Sequence, residues 1–134
     1  MRSRKLFYAG VIAAAIFLLF FVITCIWIGR DAKSRCQEAK REYLPAGRQA
    51  AETDCAEALI ALLNDESKGF RARNSAIWAL GQLGDSRALP DLQGHYPGNI
   101  PSKESLDKTI SQYELKKEIK LTSGGFNATA IFWR

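Results

Sequence analysis

The sequence predicts an all-α protein: one apolar helix long enough to cross a bilayer, then a small domain of helical hairpins and an extended tail. Three observations carry that expectation. The stretch LFYAGVIAAAIFLLFFVITCIWI, Leu6 to Ile28, contains no charge and no proline. Beyond it, apolar residues recur at spacings of three and four in several separate stretches. Polar, glycine and proline clusters at 44–47, 64–69 and 94–101 punctuate them. A chain of 134 residues has room for one membrane segment and one small domain, not for two cores.

The first element is the apolar run. Its 23 residues reach roughly 34 Å as a helix, against a hydrocarbon core of about 30 Å. Tyr8 and Trp27 fall near its ends, where amphipathic rings favour the headgroup level. Arg2, Arg4 and Lys5 flank one side and Arg30 the other. A cleavable signal sequence would have a shorter apolar region, roughly 7–15 residues, closed by small residues of the A-x-A kind. This run closes on CIWIGR, so an uncleaved single-pass anchor in an inner or plasma membrane is expected. Ala9 with Ala13, and Gly10 with Ala14, place small residues four apart, a pattern suited to packing on another membrane helix. An alanine-rich span facing lipid accounts for them equally well.

The net charge of +5 says little about partners. Three positive charges sit in residues 1–5, and residues 30–134 hold 16 Lys and Arg against 14 Asp and Glu. Those charges are interspersed, which gives no nucleic-acid footprint and makes anionic lipid headgroups the better match for the flanking cations. The cationic tail predicts a cytoplasmic N-terminus and a periplasmic or otherwise extracytoplasmic domain. The cations after the span (Arg30, Lys33, Arg35, Lys40, Arg41 and Arg48) count the other way. A domain of about a hundred residues translocates largely regardless of its charge, and the cysteines bear on the question separately.

Cys25 lies in the span, where a thiol is a small apolar group. Cys36, Ala39 and Tyr43 share one face of a helix leaving the membrane, and Cys55, Leu59, Leu62 and Leu63 form the apolar stripe of the next. LPAG at 44–47 breaks the chain between them. Two antiparallel neighbours can bring Cys36 and Cys55 within bridging distance, and a bridge implies an oxidising compartment. Two separately buried thiols are the alternative.

Along the chain, a helix is expected from about Gly29 to Glu42, continuous with the span, and a second from about Gln49 to Leu63. A third runs from about Arg71 to Leu83, with Ala72, Ala76, Ala79, Leu80 and Leu83 as its stripe. Gly84 suits the left-handed residue that ends it, and Asp85 caps the next turn. RALPDLQ, 87–93, opens a short helix cut off by GHYPGNIP. Ser102 then predicts the cap of a helix over 103–120, with Leu106, Ile110 and Tyr113 as its apolar face. Glu104 and Asp107 near its start and Lys116, Lys117 and Lys120 near its end suit the helix dipole. FNATAIFWR, 126–134, alternates like a strand but has none to pair with, so an extended segment packed on the domain or docked on a partner is expected. The organisation is then a basic tail 1–5, a transmembrane helix 6–28, an α-helical domain 29–122 and an extended tail 123–134.

ALIALLND and ARNSAIWALGQLGDSRALPDL together resemble the HEAT-like repeat found in phycobilisome lyases and many bacterial scaffolds. The family pattern is an apolar first helix ending Leu-Leu-x-Asp. A valine-arginine pair then opens a second helix reading Ala-Ala-x-Ala-Leu-Gly-x-Leu-Gly-Asp. Leu62, Leu63 and Asp65 match the first part, and Arg73, Ala76, Ala79, Leu80, Gly81, Leu83, Gly84 and Asp85 the second. Ala72 stands for the valine and Ile77 for the second alanine, and the loop between the helices is slightly longer. The resemblance covers residues 56–92. In such a repeat small residues let helices approach, Gly81 admits a crossing helix, and Gly84–Asp85 make the exit turn. One repeat cannot bury both its faces. The helix carrying Cys36 is expected to cover one side, and the 103–120 helix with the tail the other.

Catalytic chemistry is not indicated. His95, in a Gly/Pro loop, has no Cys/His/Asp companions in sequence and reads as a solvated loop residue. Asp85 and Asp91 are explained by capping and helix-terminus roles rather than acid–base work. No phosphate loop, nucleophile elbow or dinucleotide fingerprint occurs. Trp78 fits either the core or an exposed anchor, and Phe132 and Trp133 form an apolar end that needs cover. NAT at 127–129 meets the glycosylation sequon, a triplet that often arises by chance. The expected protein is a non-catalytic accessory subunit with no cofactor, metal or small-molecule substrate. Its membrane helix and HEAT-like domain would dock it on integral membrane proteins, with Trp78, Phe132 and Trp133 as contacts. A free-standing membrane receptor for a soluble partner is the alternative, and the resemblance adds a pigment lyase or chaperone.

Overall fold

The structure is a computed structural model that describes residues 2–46 and 54–133, with side chains from Leu6 onward. Every regular element among the described residues is helical, so the segment 126–133, which alternates like a strand, is not one. Helix α1, Arg2–Tyr43, runs unbroken for 42 residues, from the apolar run into the domain. Helix α2, Cys55–Asn64, returns beside its last turns; the expected start of α2 near Gln49 lies outside the described residues. Helix α3, Phe70–Leu83, packs on α1 and α2. A 3-10 turn, Ser86–Ala88, leads into the short α4, Leu89–Gly94. Helix α5, Gln112–Thr122, packs against α3 and α4, and a 3-10 turn, Ala128–Phe132, lies against α1.

The apolar spacing explains which faces close. On α1, Cys25, Gly29, Ala32, Cys36 and Ala39 are buried at alternating spacings of four and three, which keeps one narrow stripe turned toward its neighbours. Leu59 and Leu63 of α2, with Ala76, Ile77, Ala79 and Leu80 of α3, meet that stripe, and Leu92 and Leu115 close the far side. The Sγ atoms of Cys36 and Cys55 are bonded across α1 and α2, whose Cα atoms lie 5.2 Å apart there.

Side chains of the repeat pattern tie the ends together. Gly84 ends α3 in the left-handed region at φ 63°, its N–H donating to the Leu80 carbonyl, and the Asp85 carboxylate accepts from the Arg87 N–H. Arg73 Nε donates to the Leu63 carbonyl at 2.8 Å, satisfying an acceptor at the end of α2. Asp65 accepts from the Ser67 hydroxyl and N–H and from the Tyr43 hydroxyl at 2.6 Å. These donors hold its carboxyl down at about 2, the Ser67 hydroxyl most of all, and Tyr43 is raised in turn, chiefly by burial and then by Asp65.

The helix expected over 103–120 begins nine residues later, at Gln112. The reason is tertiary. Buried Asn74 on α3 donates to the carbonyls of Leu106 and Thr109 and accepts from the Ser111 N–H at 2.8 Å, so the segment before α5 is held in turns. The cap is Ser111, whose hydroxyl accepts from the Glu114 N–H, and not Ser102. Glu104, instead of sitting inside a first turn, accepts from the Ser111 hydroxyl and the Gln112 N–H. Leu106 and Tyr113 are exposed; Leu115, Glu118 and Thr122 are the buried face.

Helix α5 crosses α3 at Gly81, where a Cβ would collide with the carboxyl and Cβ of Glu118. Alanine is the better helix former by about 1 kcal/mol, but overpacking a seated helix costs about 1–3 kcal/mol. Because the Glu118 Cβ itself is in the way, the side chain cannot simply swing aside. Gly81→Ala is therefore expected to lower stability by about 1–2 kcal/mol in thermal unfolding of the detergent-solubilised protein. An unchanged or raised midpoint would mean that α5 is not seated there.

Candidate interaction site

Two separate surfaces flank α1 where the apolar run meets its charged part. The first is a groove of about 840 Å³ between α1 and α3, lined by Ile26, Trp27, Ile28, Arg30, Asp31, Ser34 and Trp78. Helical spacing puts Trp27, Arg30, Asp31 and Ser34 on one side of α1. Trp78 comes from α3 and is half-buried, with the Arg35 guanidinium 5.0 Å from its ring centroid. Arg35 is aimed by Asp31, which accepts from its Nε and Nη2 at 3.1 and 3.0 Å, and it also donates to the Ser75 hydroxyl. This cation–π pair fixes Trp78 as one wall of the groove. Trp27, 72% exposed, is the other.

The second surface is the segment 126–133. Asn127 starts it: its carbonyl oxygen accepts from the Thr129 N–H and hydroxyl, and its amide donates to Gln82 on α3 at 3.1 Å. The sequon asparagine is thus engaged inside the fold at both ends. Trp133 packs on Gly29, where a Cβ would collide with the indole, and the Phe132 ring stands edge-on to Phe21 with centroids 6.0 Å apart. Phe132 remains 51% exposed and Ile131 66% exposed. Trp78 and Trp133 therefore lie on different sides of α1 and do not form one patch. Ala9, Gly10, Ala13 and Ala14 are exposed among the described residues.

Elsewhere the polar groups serve the fold. His95 is not a solvated loop residue: it is half-buried, its Nε2 lies 2.8 Å from the Asn64 carbonyl oxygen, and Asn64 donates to Asp91 at 2.6 Å. Burial, with help from Arg73, lowers its pKa. Among the described residues no group of three or more His, Cys, Asp or Glu is placed to hold a metal ion. Glu118, which residue spacing does not single out, is fully buried against Gly81, with Lys117 Nζ 3.0 Å from one oxygen. Burial raises its carboxyl to about 7 against the pull of Lys117. Its sequence signal is weak, because a glutamate between lysines reads as a solvated helix face.

The stacked antiparallel helices, with an arginine capping the preceding helix and a glycine-aspartate exit turn, define an α-helical repeat of the solenoid type. The chain belongs to the HEAT repeat family, which matches residues 32–99, half of its length. The match begins within α1, so the last three turns of that helix fall inside the matched region. Neither curated proteins nor solved structures give a match. HEAT repeats are protein-interaction scaffolds and generally not enzymes.

Proposed function

We propose that this protein is a membrane-anchored, non-catalytic accessory subunit that docks a small HEAT domain against a larger membrane complex. The observation that carries this reading is the continuity of α1. The apolar run at Leu6–Ile28 passes without a break or a glycine–proline hinge into the helix that the repeat family matches. A domain coupled this way cannot swing, which suits a fixed place in an assembly better than capture of a soluble partner at arm's length. The groove between Trp27 and Trp78 supports it further, since it opens at the end of the apolar run, at the level of a neighbouring membrane protein. In this reading residues 6–28 span the membrane, residues 29–122 are the docking domain, and the Cys36–Cys55 bond belongs to an extracytoplasmic compartment.

Purification of the tagged full-length protein in mild detergent, followed by mass spectrometry, tests this. A fixed set of integral membrane proteins at constant stoichiometry is expected. A lone protein, or one carrying only a soluble partner or a pigment, would overturn the subunit reading in favour of a receptor or a lyase.

A further inference from the structure

We infer that the segment Phe126–Trp133 is a second membrane-embedded element, seated in the headgroup–hydrocarbon boundary beside α1. This rests on the reading of Leu6–Ile28 as a membrane span. The geometry leaves little choice once that helix crosses a bilayer. Phe132 stands against Phe21, seven residues inside the apolar run, and Trp133 against Gly29 at its end. At 1.5 Å per residue, Phe21 lies about 10 Å below Ile28, the depth to which interfacial apolar faces are buried. The segment thus descends along the upper third of the span, on the face where Cys25, four residues from both Phe21 and Gly29, is buried.

Its composition and bonding suit that place. FNATAIFW carries no charge, and Phe126 (80% exposed), Ile131 and Phe132 face outward, where water would penalise them and acyl chains would not. The Asn127 and Thr129 side chains are bonded within the protein, as a lipid-facing segment requires, and the Trp133 indole N–H is the one buried polar side-chain group of the segment left without a partner. Asn127 and Thr129 bond each other, and the Asn127 amide reaches Gln82. The 3-10 turn also pairs the N–H groups of Ala130 and Trp133 with the carbonyls of Asn127 and Ala130. Strung between α3 at Gln82 and α1 at Phe21, the segment holds the domain at one height and tilt on the bilayer.

The test uses full-length protein in phosphatidylcholine vesicles, with Trp27, Trp78 and Trp133 replaced by phenylalanine and one tryptophan returned as reporter. Phe132→Trp is the reporter for the segment, and Ile131→Trp is a second should the first not fold. Phe17→Trp reports on the middle of the span. The expected result is that lipid brominated near the glycerol end quenches the segment reporter by about half, that aqueous acrylamide barely affects it, and that bromine at the chain terminus quenches Phe17→Trp. Acrylamide quenching of both segment reporters, with Phe17→Trp still reached by deep bromine, overturns the inference and leaves the anchor. A Phe17→Trp reporter untouched by bromine overturns both.

Discussion

Replacing Cys36 and Cys55 together by alanine is expected to lower the stability of the helical domain by about 3 kcal/mol. That is the chain-entropy value for a bond closing a loop of this length, the two cysteines being 19 residues apart. The loss matters because the domain is small and buries proportionately little surface. Urea unfolding of the detergent-solubilised protein, followed by circular dichroism, measures it. Wild type under reductant should share its midpoint with the double variant, and oxidised wild type should unfold at higher urea. Coincident midpoints in all three samples would remove the bond from the account of stability. Thiol labelling without reductant supplies the companion result, with Cys25 alone modified after unfolding in detergent.

Glu118→Gln is expected to stabilise the protein above neutral pH and to flatten its stability–pH profile. Glu118 has a folded-state pKa of about 7 against an ordinary 4.5. Below both values the carboxyl is protonated folded and unfolded, and pH has no effect through it. Between them the unfolded chain releases its proton while the folded protein keeps it, so stability falls as pH rises from about 4.5 to about 7 and then levels. Full expression of that shift amounts to about 3 kcal/mol at pH 8, a value in which the pull of Lys117 is already included. The glutamine keeps the shape against Gly81 without the charge. Urea midpoints at pH 5 and pH 8 decide the matter. Equal variant effects at the two pH values would show that Glu118 does not titrate across this window.

Much of the fold is legible in residue spacing because it is enforced locally. Ala76, Ala79, Leu80 and Leu83 share one face of α3 by helical geometry alone, and Gly84 is the residue least strained at φ 63°. The start of α5 is where spacing misleads. The S-x-x-E capping box at Ser111–Glu114 is present in the sequence, but the dipole-matched charges upstream suggest an earlier beginning. Asn74 decides otherwise, since three hydrogen bonds from one buried amide outweigh the helix propensity of a few residues. The candidate site is legible only as a set of separate aromatics. Trp78, Phe132 and Trp133 are all conspicuous in sequence, yet nothing in it places two of them on α1 and the third across a groove.

By itself the sequence determined the apolar run, the helical class, the repeat and its exit turn. Each of these depends on residues within a few turns of one another, where periodicity and backbone preference act directly. Tertiary structure alone decided that α5 starts only at Gln112, that Glu118 is buried under Gly81, and that the 126–133 segment coils in a 3-10 turn against the apolar helix. Those outcomes depend on which surfaces meet. An apolar side chain such as that of Trp133 is compatible with many covers, and only the packed chain selects Gly29.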